Sequence, residues 1–252
     1  DLENFFDQIH FGRVRGMLMK PPYNLGEEAA LVISQIACYK GKLPQGAPTS
    51  PILTNMVCAP LDTQLTKLAK KYNLQYSRYA DDITFSTYKA DFPVEIAYVD
   101  FNGVHVGTVL EELIKKNNFL INYNKVRISD YRQRQIVTGL VVNQFVNLRR
   151  DYIKEIRALL YSCKVKGLLE SAKLYVEKGK CKNPKIIEAV NSGKSEKEDE
   201  IINWFLQVLK GKIEYIKSIR GDNNPTYLKY ASELNRVSGK IFFRVDEYLD
   251  FI

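Results

Sequence analysis

Histidine is nearly absent from this chain of 252 residues, with only His10 and His105, and its four cysteines, Cys38, Cys58, Cys163 and Cys181, form no C-x-x-C pair. A zinc site of the usual Cys/His kind is therefore not expected, and the thiols read as reduced and structural. No uncharged apolar run approaches the ~18 residues that a membrane-spanning helix needs, and the opening residues, with Asp1, Glu3 and Asp7, are the reverse of a cationic leader. The expectation is a cytoplasmic protein with no membrane partner. Internal repeats and low-complexity tracts are also missing. Because the chain opens on Asp1 inside what proves to be a motif, it is expected to be a fragment whose upstream part is missing.

What is present in excess is positive charge. The net charge is +8 and the pI about 9.1, which favours a polyanionic partner. The distribution carries more than the total. Basic residues interleave with aromatics and amides in Tyr123–Arg127, in Tyr131-Arg132-Gln133-Arg134 and across Lys210 to Lys229. That mixture suits phosphate contact combined with stacking on bases or sugars, although a solvated helix face can look the same.

Periodicity divides the chain. Apolar residues at helical spacing predict helices over Phe11–Lys20 and Glu27–Tyr39. Thr49-Ser50-Pro51 reads as the start of a long helix, Ser50 capping and Pro51 at the first helical position, with Leu53, Met56, Val57, Leu61, Leu65 and Leu68 on one face and a kink at Pro60. From Leu74 the period becomes two, and Ala80-Asp81-Asp82 lies between two such runs, predicting a hairpin with acidic residues at its turn. A second hairpin is expected around Asn102-Gly103, then a helix over Val109–Lys116, a strand over Phe119–Tyr123 and a third hairpin over Ile136–Leu148. After Arg149 the pattern is helical, apart from a polar connection between Glu177 and Glu200. The fold class is α+β, an antiparallel sheet backed by helices, with a domain boundary near Leu148.

An Asp-Asp pair at a turn usually means only that aspartate is a good turn former. Here the pair stands in Tyr79-Ala80-Asp81-Asp82 between β-forming runs, and this resembles the Y-x-D-D signature of reverse transcriptases. Leu43-Pro44-Gln45-Gly46-Ala47-Pro48-Thr49-Ser50-Pro51, followed by Ile52-Leu53-Thr54-Asn55, is similar to that family's preceding block. The opening Asp1-Leu2-Glu3-Asn4-Phe5-Phe6 resembles its first block, an aspartate followed five residues later by an aromatic. Asn118–Lys125 looks like a later block with a lysine near the triphosphate. Gln135-Ile136-Val137-Thr138-Gly139 matches the Val-Thr-Gly mark of the retron subfamily, preceded by a basic stretch that includes Arg132 and Arg134.

The resemblance implies a polymerase palm with a ferredoxin-like sheet and part of the fingers over residues 1–148, a helical thumb binding RNA and template–primer over 149–252, and fingers largely missing upstream. Asp1, Asp81 and Asp82 would hold two Mg²⁺ ions, since phosphoryl transfer to a nucleic-acid end needs hard cations on carboxylate oxygens. Leu2, Phe5, Phe6, Gln45, Gly46 and Lys125 would line the nucleotide site, with Phe6 the steric gate against a ribose 2′-hydroxyl. One of Phe5 and Phe6 is read as core. Val137, Thr138, Gly139, Arg132 and Arg134 would meet RNA or primer. The implied partners are dNTPs, a structured non-coding RNA with its DNA product, and an effector protein of an anti-phage system. A defence-associated reverse transcriptase without a branched product, and a catalytically silent nucleic-acid-binding scaffold, stay open as alternatives.

Overall fold

A computed structural model describes residues 1–245, so the last positions of the expected thumb, 246–252, lie outside the described residues. The chain forms two compact units, Asp1–Gln133 and a second that begins at Arg134. The sequence-based boundary stood later, at Leu148.

In the first unit, α1 (Phe11–Leu18) and α2 (Glu27–Ala37) precede the long α3 (Ser50–Lys71), which continues through Pro60 as helix. Leu53, Val57, Leu61, Leu65 and Leu68 of α3 are buried together with Leu2, Phe5, Ile9, Val14, Leu43 and Phe119. Asn73 takes a left-handed backbone with φ 57°, ending the helix, and the Leu74 N–H returns to the Ala69 carbonyl at 2.8 Å. The chain then runs into β1 (Gln75–Tyr79) and β2 (Asp82–Ser86), antiparallel with Tyr79 opposite Asp82. A second hairpin follows, β3 (Ala97–Asp100) and β4 (Gly103–Val106), and then α4 (Thr108–Lys116). Gly107 has to be glycine. A Cβ there would lie 2.1 Å from the Glu95 carbonyl carbon, because the Gly107 N–H bonds the Ile96 carbonyl at 2.7 Å.

The strand expected over Phe119–Tyr123 is reduced to one bridge, Leu2 with Ile121, before a 3₁₀ turn at Tyr123–Lys125. Its neighbour is the chain's opening segment. That segment is nevertheless held on both sides. The Leu2 N–H donates to the Asp81 carbonyl at 2.9 Å, the Glu3 N–H to Leu120 at 2.9 Å, and the Asn122 N–H to the Asp1 carbonyl at 2.9 Å.

The second unit opens with a short hairpin, β5 (Ile136–Val137) and β6 (Leu140–Val141), closed by Thr138 at φ 46° and Gly139 at φ 85°. Two positive φ values in a two-residue loop give the turn whose twist matches paired strands, and threonine is an unusual occupant of the first position. Among the described residues five α-helices follow: α5 (Arg150–Lys166), α6 (Leu168–Glu177), α7 (Pro184–Ser192), α8 (Glu198–Arg220) and α9 (Pro225–Ser238). Helix α8 is central, burying Phe205, Leu206, Leu209, Ile213 and Ile216 among Ile156 and Leu160 of α5 and Tyr230 and Leu234 of α9. Its neighbours α7 and α9 both start with an asparagine cap and a proline, Asn183-Pro184 and Asn224-Pro225, and end at left-handed Gly193 and Gly239. Among the described residues no helix is long and apolar enough to cross a membrane.

Candidate active site

The opening segment, which carries Asp1, lies against the first hairpin, whose turn carries Asp81 and Asp82. The Leu2–Asp81 backbone bond sets Asp1 beside the turn, and the Asp1 backbone nitrogen lies within electrostatic range of both the Asp82 and Asp81 side chains. Lys125 joins them. Its Nζ is 3.0 Å from Asp1 Oδ2, and the Asp1 side chain is only 17% exposed. A lysine expected from the sequence to serve the triphosphate is thus tied to a carboxylate, and Arg127 adds positive potential at the same place.

Among the described residues no three His, Cys, Asp or Glu side chains are gathered closely enough to hold a metal ion as they stand. Neighbouring carboxylates repel one another, and the Lys125 ammonium supplies the countercharge Asp1 needs. The donor chemistry fits a hard divalent cation: carboxylate oxygens of Asp1, Asp81 and Asp82 from adjoining backbone, with no soft ligand among them.

The turn bearing Asp81 is the most constrained part of the site. Only two residues, Ala80 and Asp81, join β1 to β2, and Ala80 has φ 52°. A positive φ at the first of two central positions is where hairpins favour glycine, so alanine here is strained by roughly 1 kcal/mol or more. Arg78 holds it. The guanidinium, whose side chain is 4% exposed, donates from Nη1 to the Ala80 carbonyl at 2.9 Å and grips Asp62 of α3 with Nε at 2.7 Å and Nη2 at 2.6 Å. Nη2 also reaches Asn55 Oδ1 at 3.3 Å, and the Tyr76 hydroxyl donates to Asp62 Oδ1 at 2.7 Å. Burial, reinforced by that bond, pushes the Tyr76 phenol well above its usual range and keeps it a donor. Sequence reading missed Arg78, Asp62 and Tyr76. Asp62 looks like an ordinary charge on a helix, and only the observation that β1 packs against α3 pairs it with Arg78.

Leu2 and Phe5 are both 2% exposed, so their side chains are core and only their backbone is open to a ligand. Phe5 stacks on Phe119 at 5.6 Å between ring centroids, and half-buried Phe6 meets Phe5 edge-on at 5.4 Å. Of the two phenylalanines Phe5 is core, as the sequence implied for one of them, while Phe6 is partly buried against the same core. Gln45 and Gly46 are exposed on their loop, Gly46 with φ 86°. Ser50 does not cap α3, as the sequence reading had it. Its buried hydroxyl donates to the Pro44 carbonyl at 2.5 Å, so it ties the Gln45-Gly46 loop to the helix start.

In the second unit Val137 is half-buried, while Thr138, Gly139 and Arg134 are exposed. The hairpin is braced from behind: Val141 and Asn147 exchange backbone bonds at 2.9 and 2.8 Å, and Asn147 Oδ1 accepts from Arg220 Nε at 2.8 Å. Arg132, exposed in the first unit, rests on the Tyr131 ring, 5.4 Å from its centroid. The basic run from Lys210 is partly structural, since Lys212 pairs with Glu155 at 2.9 Å and Lys217 with Asp222 at 3.3 Å.

The sequence model of the family described as "Reverse transcriptase (RNA-dependent DNA polymerase)" matches residues 1–138, more than half of the chain and all three carboxylates. The chain belongs to the reverse transcriptase family. With that membership comes the palm fold expected from the sequence. The chain is similar to Retron Ec86 reverse transcriptase of Escherichia coli, 38% identical over 162 residues that make up 64% of this chain and 47% of that protein. Against Retron Mx162 reverse transcriptase of Myxococcus xanthus it is 33% identical over 186 residues, 65% of this chain and 38% of the relative. Retron Mx65 reverse transcriptase of the same organism is 31% identical over 177 residues, 64% and 39% of the two chains. The retron resemblance drawn from Val137-Thr138-Gly139 therefore agrees with similarity over 64–65% of the chain. The match spans less than half the length of these relatives.

Proposed function

We propose that the protein containing this chain is an RNA-directed DNA polymerase of the retron type, which copies a structured RNA into DNA in the cytoplasm. The observation that carries this reading is the placement of Asp1 beside Asp81 and Asp82 through the Leu2–Asp81 backbone bond, inside the region that matches the reverse transcriptase family. Asp1 and Asp81 would hold two Mg²⁺ ions, with Asp82 assisting. Bound there, the cations supply Lewis-acid activation of the primer hydroxyl and neutralisation of the triphosphate.

The chain's own residues do the rest. The backbone of Leu2 to Phe5, the Gln45 amide and the open Gly46 backbone hold the nucleotide, and Phe6 fills the space a ribose 2′-hydroxyl would need. Lys125, released from Asp1, is free to neutralise the departing pyrophosphate. Arg132, Arg134 and the Val137–Gly139 turn contact RNA or primer. By analogy with retrons the product is DNA branched from the RNA, made for an anti-phage system with an effector protein.

The test is to purify the full-length protein, beside an Asp81→Asn version, and sequence the nucleic acid each carries. DNA joined to RNA by a 2′,5′ branch, present only with the intact carboxylates, is the expected result. Unbranched or protein-linked DNA would replace the retron reading with that of another defence-associated reverse transcriptase. DNA from neither protein would overturn polymerase activity and favour a binding scaffold.

A further inference from the structure

We propose that Arg78, anchored by Asp62 and Asn55, is a positioning residue that sets the backbone of the Ala80-Asp81 turn, and that α3 is the strut which makes this setting possible. The inference rests on the polymerase reading above.

A single guanidinium spans two elements. It closes a fork on Asp62, reaches Asn55 two helical turns earlier on α3, and holds the carbonyl of the strained residue next to Asp81. Each bond is directional, so together they fix where the Ala80–Asp81 peptide lies relative to α3. The Asp81 carbonyl in turn receives the Leu2 N–H, which places Asp1. A displacement of the turn therefore moves all three carboxylates, not one. At its N-terminus α3 also holds the Gln45–Gly46 loop through Ser50 and Pro44. One rigid helix thus references both the carboxylate turn and the candidate nucleotide loop.

A buried ion pair is weak evidence for stability as such, since hydrophobic replacements of similar volume are often neutral. The particular feature of this one is the fourth bond, to the backbone of a two-residue turn. Lysine can keep the charge against Asp62 but cannot make the fork and the Ala80 bond at once.

The experiment compares full-length wild type with Arg78→Lys and Asp62→Asn. Two quantities are read: hydrogen–deuterium exchange in metal-free protein, and steady-state extension of oligo(dT) on poly(rA) with dTTP and Mg²⁺. In Arg78→Lys, exchange should rise in peptides covering 1–4 and 75–86 but not in those covering α8. kcat should fall about 10–100-fold, the range typical when a group supporting a metal ligand is altered, with the KM for primed template within about twofold. Asp62→Asn, which keeps the shape and part of the hydrogen bonding, should fall between the two. Unchanged exchange at the turn together with unchanged kcat would overturn the inference. So would a rise in exchange throughout the first unit with template KM and kcat worsening in parallel, the mark of a purely structural role. An inactive wild type would count against the polymerase reading instead, and the exchange measurement alone would then decide whether Arg78 holds the turn.

Discussion

The two units meet the same backbone requirement by different means. In the second, left-handed positions fall on glycine, at Gly139, Gly167, Gly179, Gly193, Gly221 and Gly239, with Thr138 the exception among the described residues. In the first they fall also on Asn4, Asn24, Lys40, Asn73, Ala80 and Asn118. Asparagine tolerates that conformation and alanine and lysine do so poorly. The helical unit relies on an apolar core around α8 and, at α7 and α9, on asparagine caps. The first unit keeps a buried guanidinium and a strained two-residue turn, neither of which is the most stable choice. Strain of this kind persists where the surroundings hold it and where geometry matters more than stability. Of the three left-handed positions among the described residues that are neither glycine nor asparagine, Lys40, Ala80 and Thr138, the last two lie inside the motifs that carry the functional reading.

Substitutions can break or sharpen this contrast. The largest effect is expected from Asp81→Asn, which should lower primer extension by roughly 10³-fold or more while leaving the melting temperature unchanged or higher, since one of three mutually repelling carboxylates is gone. Retained extension in a clean assay would remove Asp81 from the site. Phe205→Ala, at a position with no exposure in the second core, should cost about 3–5 kcal/mol of stability, seen as a lower melting transition. A small shift there would mean that the second unit is not packing-dominated. Phe6→Ala should raise incorporation of ribonucleotides relative to deoxynucleotides by roughly 10–100-fold with little loss of stability, because Phe6 is only half-buried. Unchanged discrimination in a competitive incorporation assay would return Phe6 to the core. Smallest of all, Ala80→Gly should relieve the left-handed strain and stabilise the fold by about 0.5 kcal/mol, the relief being offset by the extra freedom of glycine in the unfolded chain. A destabilisation on chemical denaturation would mean that Ala80 is not strained.

Much of this was legible in the sequence where the determinants are local. The period of three and four along α3, the alternation from Leu74 to Ser86 and the helical faces of α5 and α8 all appear where spacing placed them. So does the acidic turn, because Ala80-Asp81 is bounded by β-forming residues on both sides. What the sequence did not reveal depends on long-range pairing. Nothing in the spacing shows that Ser50 would bond Pro44 instead of capping its own helix, or that Lys125 would cross to Asp1. The Phe119–Tyr123 strand was over-read because its apolar content is real but its partner is a single bridge at Leu2. Arg78 and Asp62 are separated by a helix end and a strand start, and only their packing makes one the partner of the other.

Because Tyr79 faces Asp82 across two residues, the first hairpin has no slack in length. One inserted residue would shift the register by one and, with side chains alternating between faces, turn every residue of β2 to the opposite side, carrying Asp82 and Ile83 with it. The β3–β4 hairpin has the same loop length but no such burden. At its tip Phe101 is 96% exposed and Asn102 is exposed beside it. That tip is a place in the first unit where added sequence, such as a fluorophore tag, can be carried without disturbing the register of the carboxylate turn.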